Sequence, residues 1–106
     1  MEAPNLYKEI EVGARSKAIL ENETFKDAVK VVQDGIFGQF AQTDPKDIAQ
    51  LQVHRLSLKA LADIVRHLQS AMDSGQMAVI QVEQERQAQT LREKAQGIVS
   101  RFTRRA

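Results

Sequence analysis

The chain has no cysteine and no tryptophan, and its 106 residues include only two prolines and five glycines. Without cysteine it can form no disulfide, offers no thiolate nucleophile and cannot build a cysteine-based metal site. The absence of cysteine also fits a reducing cytoplasm, where structural disulfides are rare.

Long apolar runs are missing as well. A membrane-spanning helix needs about 18 or more consecutive apolar residues, and no window of this sequence approaches that length. The first residues lack the basic region and the apolar region of a secretory signal. We therefore expect no membrane span, no membrane partner and no secretory signal.

The residues that are present favour an all-α protein. Hydrophobic residues make up 42% of the chain but aromatic residues only 5%, so any core must be built mainly from leucine, isoleucine, valine and alanine. No strongly alternating apolar and polar run indicates a strand. The length fits one domain, and we predict a single helical domain over residues 1–106.

The sequence is organised around residues 45–75, which read as one amphipathic helix. One face of this segment is lined, at steps of three and four, by Leu51, His54, Leu58, Leu61, Val65, Leu68 and Met72. We expect Ile48 and Ile64 to widen this apolar seam on its two flanks. Asp44 before Pro45 is a predicted start for the helix, and Gly75 is a predicted left-handed C-terminal cap.

A second apolar seam precedes it, and we predict that the two seams face each other. The second seam consists of Phe25, Val29, Val32, Ile36 and Phe40. Asn22 or Thr24 is the predicted N-cap of this helix. The connection at residues 42–44 is short, so the two helices should form an antiparallel hairpin core over about residues 22–75.

Two further helices are predicted around this core. Residues 4–20 have a helical apolar spacing but include Gly13, so we expect a marginal first helix that leans on the rest of the domain. Residues 76–106 form a predicted long, basic C-terminal helix with a thin apolar seam that Gln81 and Gln84 interrupt. A thin seam suits a helix that extends into an oligomer, so we expect the protein to self-associate.

No group of residues indicates catalysis. His54 and His67 are thirteen positions apart and do not share a helix face. We expect His54, which lies on the apolar seam, to be packed and hydrogen-bonded, and His67 to form an ordinary surface pair with Asp63. No metal-binding motif and no nucleophile beside a base is present. We predict that the protein is not an enzyme and uses no metal or cofactor.

The distribution of charge leaves one alternative open. Residues 1–44 carry five basic and eight acidic side chains, whereas residues 76–106 carry six and three. Basic side chains neutralise phosphates, so the C-terminal helix could bind nucleic acid or dock a partner protein. The candidate residues for either role are Arg92, Lys94, Arg101, Phe102, Arg104 and Arg105.

Two stretches resemble known sequences: RSKAILENETFKDAV at residues 15–29 and HRLSLKALADIVRHLQSAMDSGQMA at residues 54–78. They are similar to small helical proteins of tailed phages and prophages that are encoded among DNA-packaging and head-morphogenesis genes. The resemblance implies a non-enzymatic, homo-oligomeric assembly protein, such as the oligomerisation core of a small terminase subunit, a head-assembly accessory or a minor virion component. It also implies a packaging motor subunit or a head protein as a partner, and a location in the cytoplasm of the bacterial host or in the virion. DNA is a candidate partner through the basic C-terminal helix.

Overall fold

The computed structural model describes residues 5–104, except for the side chains of residues 103 and 104, and every element in that range is a helix. Helix α1 comprises Leu6–Glu21, α2 comprises Glu23–Gln42 and α3 comprises Ile48–Arg104. The predicted all-helical fold with a long C-terminal helix is confirmed. The predicted fourth helix is wrong, because residues 76–104 continue α3 without a break.

A single extended residue separates α1 from α2. Asn22 has φ −70° and ψ 124°, and its side-chain oxygen accepts a hydrogen bond of 2.9 Å from the backbone N–H of Phe25. Its own backbone N–H donates to the carbonyl of Ile19 at 3.1 Å. Asn22 therefore ends one helix and caps the next, which confirms the first of the two predicted N-caps. Asn5 caps α1 in the same way through the N–H of Lys8.

The connection from α2 to α3 is longer than predicted. The carboxylate of Asp44 accepts a hydrogen bond of 2.9 Å from the N–H of Lys46, which closes a turn over Pro45. The carboxylate of Asp47 then accepts from the N–H of Gln50 at 3.1 Å. Asp47 is thus the residue that caps α3, and the predicted start at Pro45 is wrong because Asp44 stabilises a turn instead of a helix.

The predicted helix end at Gly75 is also wrong. Helix α3 passes through Gly75, and no residue in the described range has a positive φ. The reason is a close contact with α1. A Cβ atom built on Gly13 would lie 2.7 Å from the Cα of Gly75, and one built on Gly75 would lie equally close to Gly13. Both glycines are there because two helix backbones meet at this point.

Small residues surround this crossing. Ser16 is 5% exposed and Ala78 is 2% exposed, and the carbonyl of Ala71 would lie 3.0 Å from a Cβ on Gly13. Because none of these side chains is large, α1 packs much closer to α3 than α2 does. The glycine that was predicted to weaken α1 therefore attaches that helix to the rest of the chain.

Helix α2 contacts the first part of α3, and α1, which precedes α2 in the sequence, contacts α3 further along. Thr43 lies against His54, Phe25 and Val65 line one surface groove, and Gly13 lies against Gly75. The molecule measures 90 × 32 × 17 Å and its radius of gyration is 24.9 Å. A compact chain of this length would have a radius of gyration of about 13 Å. The fold is a rod whose long axis is set by α3.

Candidate self-association surface

The rod has almost no interior. Among the described residues, Ala78 is the one buried hydrophobic side chain. Large apolar side chains are exposed on every helix, for example Val31 at 70%, Leu56 at 61% and Leu91 at 67%. The chain exposes 9010 Å², whereas a compact monomer of 11.9 kDa would expose about 6,000 Å². About 3,000 Å² of surface is therefore in excess of what a compact monomer shows.

Most of the predicted seam residues of α2 and α3 are half-buried. These are Phe25, Val29, Ile36, Leu51, Leu58, Leu61, Val65 and Leu68. Val29 of α2 and Leu58 and Leu61 of α3 line a common groove. Val32 is 49% exposed, and the flanking residues Ile48 and Ile64 are 67% and 56% exposed. The expectation that Ile48 and Ile64 widen the seam is wrong, because α2 covers only a narrow strip of α3.

His54 is one of the few buried polar residues. It is 6% exposed, and its Nε2 atom lies 2.9 Å from the hydroxyl of Thr43. That hydroxyl also donates to the carbonyl of Gln39, so the His54–Thr43 contact joins the last turn of α2 to the second turn of α3. The ring of Phe40 packs against the imidazole at a centroid distance of 6.1 Å. This confirms that His54 is packed and hydrogen-bonded.

His67 does not form the predicted pair with Asp63. The Asp63 carboxylate, whose side chain is 45% exposed, instead lies 3.2 Å from the mostly exposed Arg66 and 3.7 Å from the mostly exposed Lys59. Ion pairs of this kind on one helix surface contribute little to stability. No three His, Cys, Asp or Glu side chains within residues 5–104 lie close enough together to hold a metal ion.

Among the residues that the structure describes, those in the last third of α3 are almost all exposed. Every residue from 83 to 102 is exposed except Ala88, which is intermediate. Of the predicted nucleic-acid-binding or docking residues, Arg92, Lys94, Arg101 and Phe102 lie on this segment. Arg105 lies outside the described residues, as does the side chain of Arg104. Within the described part of the chain, Arg92, Lys94 and Arg101 form no ion pair, whereas Arg86 pairs with Glu83 at 3.0 Å.

A stripe of apolar side chains, interrupted by Gln81 and Gln84, runs along residues 77–102 of α3, and we call it the tail stripe. Its members follow each other at alternating steps of four and three over residues 77–102: Met77, Gln81, Gln84, Ala88, Leu91, Ala95, Ile98 and Phe102. Leu91 is 67% exposed, Ile98 53% and Phe102 72%. The apolar members follow one another without interruption from Ala88 to Phe102, about two heptads, and spacing of this kind is typical of helices that pair along their length.

The tail stripe is displaced from the seam that packs inside the chain. The predicted seam of α3, which we call the inner seam, continues in steps of seven from Leu61 and Leu68 to Gly75 and Val82. The tail stripe instead occupies Met77 and Gln84, each two positions later. Two residues correspond to about 200° around a helix of 3.6 residues per turn. Burial agrees with this offset, since Gly75 and Ala78 are buried but Met77 is 71% exposed. The tail stripe therefore lies on the side of α3 away from α1.

The cations do not form one continuous surface. Lys94 and Arg101 are seven positions apart on one flank of the tail stripe, and Arg92 lies on the other flank. An apolar strip consequently separates the two sets of positive charge. This arrangement matches the polar edges of a helix-pairing surface, where charged side chains flank the apolar positions.

Comparison with known proteins adds no relationship. The chain matches no family model, no curated protein and no solved structure. No helix in the described range is long and apolar enough to cross a lipid bilayer. The exposed apolar surface is therefore the structural feature from which a function can be inferred.

Proposed function

We propose that this protein is a non-enzymatic helical assembly factor that works as a homo-oligomer. In this proposal α2 and the first part of α3 form an antiparallel hairpin core, which α1 braces at the Gly13–Gly75 crossing. The observation that carries the proposal is the exposed surface of 9010 Å², about 3,000 Å² more than a compact monomer shows. Stable protein–protein interfaces bury about 800 Å² or more per partner, so the excess is ample for one.

The setting we propose is DNA packaging or head morphogenesis of a tailed phage. Its support is the resemblance of residues 15–29 and 54–78 to small helical proteins of that group. A protein of this kind would form a small-terminase-like oligomer or a head-assembly component. Its partners would be other copies of itself and a packaging motor subunit or head protein. It would act in the cytoplasm of the bacterial host or remain in the virion.

The mass of the native particle tests the homo-oligomer. Sedimentation equilibrium or light scattering of the full chain should give a multiple of 11.9 kDa at roughly tens of micromolar protein. The apparent mass should fall on dilution, because association follows mass action. A particle that stays at 11.9 kDa over this range would contradict the proposal.

Nucleic-acid binding through the end of α3 is the second candidate. The observation that favours it is that Arg92, Lys94 and Arg101 form no ion pair within the described residues. A salt-titrated DNA shift should compare the wild type with a variant in which Arg101, Arg104 and Arg105 are changed to Ala. Direct binding predicts weaker binding and a shallower salt dependence in the variant, because each phosphate contact releases counterions. A control that removes Lys8, Lys17 and Lys30 tests for a general effect of charge, and equal losses in both would argue against a site.

A further inference from the structure

We infer that residues 77–102 of two copies of this chain pair along the tail stripe in opposite directions, with Ala88 of each copy facing Leu91 of the other. The inference rests on the proposed function and adds to it the surface, the partner and the orientation. Three observations carry it: the heptad spacing, the sizes of the facing side chains and the distribution of charge.

The spacing indicates that the occupant of the tail stripe is a helix. Steps of four and three place successive residues on one face, and two helices that supercoil around each other keep such faces in contact along their length. The segment from Met77 to Phe102 is about 39 Å long at about 1.5 Å per residue. Met77, Leu91 and Phe102 are each at least two-thirds exposed, so a partner of this length would cover surface that α1 and α2 leave open.

The sizes of the side chains favour an antiparallel over a parallel arrangement of the two helices. In a parallel pair, each residue of the tail stripe would face its own copy. That would give narrow layers of Ala88 against Ala88 and wide layers of Phe102 against Phe102. In the antiparallel register, small Ala88 faces large Leu91, Ala95 faces Gln84, and Phe102 faces the flexible Met77. Layers of more even volume pack with fewer voids.

The distribution of charge also favours the antiparallel arrangement, and it determines which residues of the two copies face each other. Residues 77–89 carry one basic and two acidic side chains, whereas residues 90–102 carry three basic and one acidic. Antiparallel pairing therefore places the acidic half of each segment beside the basic half of the other. Glu85 and Arg92 lie on the same flank, seven positions apart, and would face each other twice across the pair. A shift of one heptad toward the C-terminal ends would set Arg92 against Arg92, which is repulsive.

The first test measures association of the full chain. Sedimentation equilibrium should compare the wild type with Leu91→Lys, which places two charges in the centre of the pair. The dimer should be weakened about 100-fold or more, because two buried leucines are lost from each dimer. Ser100→Lys adds the same charge to the same segment on the opposite side of α3, and should associate like the wild type. Leu91 is 67% exposed in the single chain, so its replacement should leave the fold of the single chain intact.

The second test determines direction and uses the absence of cysteine from the natural chain. Met77→Cys and Phe102→Cys variants are prepared separately and oxidised alone and as a mixture. Antiparallel pairing predicts a disulfide-linked dimer in the mixture and little in either variant alone. In that arrangement position 77 lies beside position 102 of the other copy and about 38 Å from its own counterpart.

The results of the two tests distinguish a failure of this inference from a failure of the proposed function. Association that persists unchanged in Leu91→Lys would overturn the inference and leave a homo-oligomer that uses another surface. Disulfides between like positions, 77 with 77 and 102 with 102, would overturn the antiparallel direction. A wild-type chain that stays monomeric would overturn both the inference and the proposed function.

Discussion

Replacing Gly13 by alanine should destabilise the protein, although alanine is the better helix former. In the structure an added Cβ at this position would lie 2.7 Å from the Cα of Gly75 and 3.0 Å from the carbonyl oxygen of Ala71. Ordinary contacts of a Cβ atom are 3.4–4 Å long. The obstructing atoms belong to backbone, so no side chain can rotate away. The two helices would have to separate by about 1 Å, which would also loosen the contacts of Ser16 and Ala78.

The size of the effect follows from two opposing terms. Overpacking of a tight contact typically costs about 1–3 kcal/mol. Replacing glycine by alanine inside a helix contributes about 0.8–1.0 kcal/mol in the opposite direction. Gly35 of α2 isolates the second term, because an added Cβ there meets no atom within 4 Å. The free energies of unfolding of Gly13→Ala and Gly35→Ala should therefore differ by about 1–3 kcal/mol, with Gly13→Ala the less stable.

Thermal unfolding followed by circular dichroism measures this difference. All variants must be compared at one protein concentration, since association shifts the apparent Tm. For a domain of this size, 1 kcal/mol corresponds to about 4–8 °C in Tm. Combining Gly13→Ala with Gly75→Ala should cost less than the sum of the single changes, because the first change already separates the helices. If Gly13→Ala and Gly35→Ala stabilised the protein equally, the close crossing of α1 and α3 would not exist in solution.

Three further changes test separate parts of the chain. Asn22→Ala removes the cap of α2 and should lower the free energy of unfolding by about 1 kcal/mol, measured by urea denaturation, with an exposed change such as Gln33→Ala as the control. Thr43→Val removes the hydroxyl that bonds to His54 and should cost about 1–3 kcal/mol in the same assay, because the buried imidazole loses its partner. Gly97→Ala should stabilise the end of α3 by about 0.8–1.0 kcal/mol, seen as slower amide hydrogen exchange there, since an added Cβ meets no atom within 4 Å. An unchanged exchange rate would mean that this end is not helical in solution.

The helical class and the α1–α2 boundary could be predicted because local chemistry determines them. Asparagine is a good N-cap wherever it precedes a helical sequence, and the apolar spacing of Phe25, Val29 and Ile36 indicates one packing face without knowledge of the partner. The burial of His54 could be predicted for the same reason, since it occupies a seam position. These features depend on residues within a few positions of one another.

The role of the glycines could not be predicted in this way. Taken alone, Gly75 after a long amphipathic segment indicates a helix end, and Gly13 indicates a weak helix. Their actual role depends on a contact between segments 62 positions apart. A signal was present nonetheless. Gly13 and Ser16 are small residues on one face of α1, and Ala71, Gly75 and Ala78 are small residues on one face of α3. Two matching small-residue faces indicate a close helix crossing.

The tail stripe was only partly predicted. The sequence indicates a thin apolar seam in residues 76–106, but the predicted break at Gly75 conceals the relation of this seam to the rest of α3. Because α3 is continuous, the inner seam and the tail stripe belong to one helix, and Met77 lies two positions after the seam residue Gly75. After Gly75 the apolar residues of the tail stripe lie on the side of α3 away from α1. Treating residues 45–75 and 76–106 as separate helices does not show this offset.

If two chains pair along the tail stripe as we propose, helix formation at the free end of α3 should depend on association. Isolated helices of about 20 residues are only partly formed in water, and most helical stability in proteins comes from packing of an apolar face. Residues 83–102 are exposed except Ala88, which is intermediate, so packing within one chain can stabilise them only a little. We therefore expect the helical signal at 222 nm to rise with protein concentration, in parallel with the apparent mass. In Leu91→Lys it should stay at the low-concentration value. A helical signal independent of concentration in the wild type, over a range in which the mass doubles, would show that the end of α3 is helical without a partner.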